Sequence, residues 1–142
     1  MTLYTAALSL HVMVAIAGTG LLGAIPIAAS FARRTSMDPA PIASLIERLF
    51  RYTRASFAIM FLSGVVLDYT AGGAFHERGW FRSGFALLVV AGLSQFRAQA
   101  ALRRVRAKEA DAESALRSVE RWGWAMCGAV TLIALLMEAK PF

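Results

Sequence analysis

The sequence predicts an all-α fold, a four-helix transmembrane bundle running up-down-up-down as a single membrane domain over residues 1–142. Three observations predict it. First, Leu3 to Ala32 is an apolar stretch without a Lys, Arg, Asp or Glu, closed by Arg33-Arg34. A hydrocarbon core of ~30 Å needs only about 20 helical residues, so this stretch crosses it with length to spare. Second, hydrophobic residues make up 58% of the chain and mean hydropathy is +0.56, while charged residues fall to 17%, against about 25% in an average soluble protein. The apolar residues also gather in four blocks. Third, of the 15 basic residues only Arg78, Arg82 and Lys140 lie outside the two segments Arg33–Arg54 and Arg97–Arg121.

The first span, about residues 4–32, has one ionisable side chain, His11. Ala15 and Gly18 follow His11 at offsets that share its helix face, so His11 looks into the bundle along a groove of small residues. Gly20, Ala24 and Ala28 form a second row of small residues, the kind that lets another helix approach closely. Pro26 removes one backbone donor near the end of the span. Nothing before Arg33 is positive except the amino terminus, so the segment reads as a retained span rather than a cleaved signal peptide.

TSMDPAP, residues 35–41, is a loop, and the second helix starts near Pro41. Its first part, IASLIERLFRYTR, is amphipathic, with Leu45, Leu49 and Tyr52 set among Glu47, Arg48, Arg51 and Arg54. The apolar part, Ala55 to Leu67, is short. The span, about 44–70, therefore borrows length from the amphipathic turn, with Arg54 and Tyr52 reaching to the interface. AGGAFHERG, residues 71–79, is a turn. The third span, about 80–100, opens on Trp80, an interfacial aromatic anchor. The charged, Ala-rich segment that follows reads as two helical arms joined near Glu109 to Glu113, or as a longer hairpin. Trp122 and Trp124 mark the interface of the last span, about 120–139.

The positive-inside rule places the loops 33–43 and 101–119 in the cytoplasm and both termini outside, in a bacterial inner (plasma) membrane. The net charge of +6 is thereby a topology signal, with no implied nucleic-acid partner. Arg33, Arg34, Arg103, Arg104 and Arg106 carry that signal and can meet anionic lipid headgroups. Depth follows from orientation: His11, Asp68, His76, Glu77, Met137 and Glu138 all fall at the outer end.

There is no P-loop, GxSxG, CxxC or HExxH pattern, and no catalytic residue set emerges. Cys127, the one cysteine, lies inside the last span, where an apolar setting leaves a thiol inert. His11 is the sharpest candidate, because an ionisable residue within a span needs a partner. It either hydrogen-bonds to Asp68, Tyr69 or a backbone carbonyl, or ligates a metal as neutral imidazole. A haem b would want a second axial ligand, from Met13, Met60, Met126, Met137 or another copy of the chain. A copper site would combine His11, His76 and Met137, since imidazole and thioether suit Cu(I).

The motif LHVMVAIAGTGLLG, with a His early in the first span and a glycine-rich run after it, resembles the opening of the copper-resistance protein D-like group. It also resembles a set of small bacterial four-helix integral membrane proteins of unknown function. The closing LIALLMEAKPF and the turn SGVVLDYTAGGAFHERGWF are similar to that second set. By layout alone the chain is distantly similar to the protoporphyrinogen oxidase-type haem protein, although Ala15–Gly20 reads AIAGTG where that protein has an aromatic-rich motif. The resemblance implies a non-enzymatic inner-membrane protein that binds haem or copper near His11. Two other readings stay open: a haem-dependent oxidoreductase acting as a homodimer, and an accessory subunit packed into a larger membrane complex through Gly20, Ala24 and Ala28.

Overall fold

A computed structural model describes residues 2–35, 39–106 and 111–139. These form four helices, α1 (Leu3–Arg34), α2 (Pro39–Thr70), α3 (Gly79–Arg106) and α4 (Ala112–Ala139), with no strand among the described residues. Each boundary has a local cause. Thr2 caps α1 by accepting from the Thr5 amide at 3.2 Å. At the other end the Thr35 amide bonds the Phe31 carbonyl at 3.2 Å, which satisfies one of the last unpaired acceptors. Asp111 caps α4 through the Ser114 amide at 3.0 Å. Gly72 and Gly73 end α2 in the left-handed region, with φ of +70° and +78°, and the Gly73 amide closes back on the Asp68 carbonyl at 2.8 Å.

The helices follow one another around the bundle. α1 packs along α2 and α4, and α3 packs along α4, whereas α2 and α3 approach each other only at a few points. Residues 3, 70, 79 and 139 lie at one end, the terminal end. The connections after Arg34 and after Arg106 lie at the other, the basic end. The basic end holds the two arms expected around residues 101–119, now seen as extensions of α3 and α4. Lys108, Glu109, Lys140 and the closing Pro141-Phe142 lie outside the described residues, as does the middle of the first loop, residues 36–38.

Small residues set the helix crossings. Gly18 of α1 lies against Ser56 of α2, where a Cβ on the glycine would come within 3.0 Å of the serine Cβ. Gly123 of α4 lies against the Pro26 ring of α1, where a Cβ would sit 3.1 Å from the ring carbons. The α1–α2 register is fixed by two contacts, His11 with Ser63 and Gly18 with Ser56. Continued along the pair, this register sets Arg54 beside Gly20, close to the middle of α1. The α2–α3 register, fixed by Phe61 with Phe85 and by Phe50 with Gln95, sets Arg54 beside Gly92.

The bundle is therefore two halves with different packing. Between the level of Arg54 and the basic end, Ile25, Ala29, Ile46, Phe50, Leu102 and Val119 are buried together in a dense core. Phe50, Ile25 and Ile46 lose essentially all their accessible surface. Truncating such a side chain to Ala costs about 3–5 kcal/mol. In the terminal half few side chains are buried, and a cavity opens there instead.

Outward-facing positions are large and apolar on all four helices. Met13 is 68% exposed, Ile16 70%, Leu62 61%, Leu93 61% and Leu135 59%. Soluble monomers rarely leave so much contiguous apolar surface in water, and lipid solvates it without cost. Among the described residues three helices, α1, α3 and α4, are long and apolar enough to cross a bilayer. α2 falls short of that measure because Glu47, Arg48, Arg51 and Arg54 occupy its first half, leaving only 55–67 free of charge before Asp68. The chain is an all-α membrane bundle.

Candidate functional site

His11 stands on the face of α1 turned to α2, one turn ahead of Ala15 and two ahead of Gly18, as the spacing requires. Its Nδ1 lies 2.8 Å from the Ser63 hydroxyl oxygen. That hydroxyl lies 2.7 Å from the Ile59 carbonyl and 3.1 Å from the Met60 carbonyl, both of which can only accept. A serine hydroxyl has one proton. Since it points that proton back along its own helix, it accepts from the imidazole, which must carry hydrogen on Nδ1. The Nε2 lone pair of the neutral ring is then free.

His11 borders a cavity of about 260 Å³ in the terminal half. α2 contributes Phe57, Met60, Phe61, Gly64 and Asp68; α3 contributes Phe81, Gly84 and Phe85; α4 contributes Val130, Ile133 and Met137. The cavity exists because α2 and α3 stand apart here. Phe61 and Phe85 partly bridge the gap, ring centres 6.0 Å apart. Gly64 passes the imidazole at ordinary contact distance, 3.8 Å from where its Cβ would be, while a Cβ on Gly84 would meet nothing within 4 Å. The two glycines keep the cavity walls low, Gly64 beside the ring and Gly84 on α3.

The expected site residues divide. His11 and Met137 line the same cavity, together with Met60. His76 is elsewhere: it is exposed in the 71–78 turn, and its Nδ1 lies 3.2 Å from the Asp68 carboxylate. Asp68 organises that turn. Its Oδ1 accepts from the Phe75 amide at 2.9 Å and the His76 amide at 3.2 Å, while Arg82 donates from Nε to the His76 carbonyl at 3.1 Å. Asp68 also borders the cavity, one and a half turns beyond Ser63 and so about 7 Å nearer the terminal end. The partner of His11 is Ser63 rather than Asp68 or Tyr69. Among the described residues no three His, Cys, Asp or Glu side chains gather into a metal-binding group.

The arginines also divide. Arg33 pairs with Glu120 of α4 at 3.0 Å, tying the two helices near the basic end. Arg34 and Arg104 are exposed. Arg103 lines a groove between α2 and α3 together with Arg54. Arg106 ends α3. Sequence reasoning did not single out Ser63 or Gln95. The signal for Ser63 was a small hydroxyl in the middle of an otherwise apolar stretch. Gln95 was one of two amides inside the third span, with Gln99, and it makes the polar link across the α2–α3 seam, donating to the Phe50 carbonyl at 2.9 Å and the Thr53 hydroxyl at 3.1 Å.

Scans of this chain against protein-family models, curated proteins and solved structures find no match.

Proposed function

We propose that this is a non-enzymatic multi-pass protein of the bacterial inner membrane, with both termini on the periplasmic side, whose cavity holds a copper(I) ion. The arginine-rich loop end supports that orientation. The observation that carries the metal reading is His11 itself: a neutral imidazole with Nδ1 engaged by Ser63, its Nε2 not used in that bond, on a cavity also lined by Met60 and Met137. One imidazole and two thioethers are a soft donor set that suits Cu(I) and serves Mg²⁺, Ca²⁺ or Mn²⁺ poorly. Ser63 would act behind the ligand, orienting the ring as outer partners of metal-bound histidines do. His76 stands outside this set.

Haem b at His11 is the second reading, favoured by the aromatic lining from Phe57, Phe61, Phe81 and Phe85 and by Gly64 and Gly84 at the walls. Met60 or Met137 would be the second axial ligand. Copper and haem separate on one preparation. Under the copper reading, the purified protein retains about one Cu(I) per chain against a chromophoric Cu(I) chelator, and His11→Ala does not. A Soret band after haem is supplied, absent from His11→Ala, selects haem. Equal copper in wild type and His11→Ala, with no Soret band in either, removes both.

A further inference from the structure

Towards the basic end a second opening lies along the same α2–α3 seam, with Gln95 in its lining and Phe57 shared with the His11 cavity. It is a groove of about 550 Å³ bordered by Arg54 and Phe57 of α2 and by Gly92, Phe96, Gln99 and Arg103 of α3. A smaller hollow continues from it, with Glu47, Phe50 and Leu102 joining Arg54, Gln99 and Arg103. Neither arginine makes an ion pair in the described structure. The Gln99 Nε2 is buried and has no hydrogen-bond partner there. A buried amide left unpaired costs about 1–3 kcal/mol, so the Gln99 Nε2 is a donor still open to an acceptor.

We infer that this groove is a binding site for an anionic phospholipid. The phosphate takes its place among the Arg54 and Arg103 guanidiniums, Gln99 donates to an ester or phosphate oxygen, and an acyl chain lies over Phe57, Gly92 and Phe96. Each part answers a feature of the groove. Two guanidiniums outweigh the Glu47 carboxylate and offer planar donors suited to phosphate. Phe96 is 67% exposed, a surface that only an apolar occupant covers favourably. The absence of a side chain at Gly92, beside Arg54, leaves room for the chain. The seam opens sideways, towards the surrounding lipid, so the occupant arrives from the bilayer. The site depends on neither His11 nor any metal.

The test uses the full-length protein in detergent, exchanged into lipid mixtures and weighed by native mass spectrometry. Phosphatidylglycerol is expected to stay bound at about one per chain where phosphatidylcholine is lost. Each of Arg54→Gln and Arg103→Gln should weaken retention about fivefold, the worth of one basic residue near an anionic surface. Gln99→Leu should weaken it without changing the protein's charge. Arg121→Gln, whose arginine is exposed on α4 outside the groove, should leave it unchanged. Equal retention of the two lipids by wild type overturns the proposal, whatever the variants do. So does an equal loss in Arg121→Gln, which would mean a diffuse surface charge. Displacement by millimolar inorganic phosphate would also overturn it, by showing that the headgroup anion alone is recognised. Elution volume and helical circular dichroism confirm that each variant is folded.

Discussion

His11 illustrates how much one hydroxyl can decide. Remove the Ser63 oxygen and the imidazole loses the acceptor that holds hydrogen on Nδ1. Ser63→Ala should lower stability by about 1 kcal/mol, the usual net worth of such a bond, read as a fall in thermal midpoint in detergent. It should also release the tautomer: ring ¹⁵N shifts of His11 should show hydrogen on Nδ1 in wild type and a mixed population in the variant. A pure Nε2–H signal in wild type would refute the assignment. That a polar partner was needed could be read from the sequence, because an ionisable ring within an apolar stretch demands one. Its identity could not. It depends on the register of two helices whose paired residues stand 52 positions apart in the chain, and no local pattern encodes that offset. The same limit hid the separation of the two histidines. Both belong to the terminal end, as the connectivity required, but the 71–78 turn folds back on Asp68 and keeps His76 there.

At the level of elements, helix number and course were written in charge and proline: Arg33-Arg34 and the prolines after them, the glycine turn before Trp80, the charged segment before Trp122. The α1–α4 crossing was less visible. Pro26 reads as a defect in a helix, yet α1 continues through it, and its ring serves as the flat surface on which Gly123 rests. Gly123→Leu should therefore drive a side chain into a rigid ring and cost about 1–3 kcal/mol as overpacking. Gly128→Leu on the same helix, where a Cβ meets nothing within 4 Å, should leave the thermal midpoint almost unchanged. Comparable losses in the two variants would show that the helix itself, rather than the crossing, resents the substitution. Within α2 the sequence already exposed the conflict between an amphipathic first half and a short apolar second half. It did not reveal that the charged half lies alongside apolar α1 instead of beyond it.

For the whole molecule, the contrast between a dense half and a hollow half should appear as unequal local stability. Regions with few buried apolar contacts open first. Hydrogen exchange by mass spectrometry should find peptides covering residues 57–68 and 81–90 exchanging before those covering 22–32 and 116–126. A uniform rate along all four helices would contradict the packing described. The hollow half is also where the His11 cavity sits, so a bound ligand should slow exchange in the first pair of peptides and leave the second unaffected.

The position of Arg54 beside Gly20 has a mechanical consequence. On the α1 flank the uncharged stretch, thirty residues from Leu3 to Ala32, measures ~45 Å, while on the α2 flank the interval between Arg54 and Asp68 measures only ~20 Å. The protein presents the bilayer with a wedge rather than a cylinder. Surrounding acyl chains must shorten on one side, or the whole body must lean until its long edge lies oblique. Either response dimples one leaflet locally, and a thin or curved patch of membrane accommodates that shape with the least deformation.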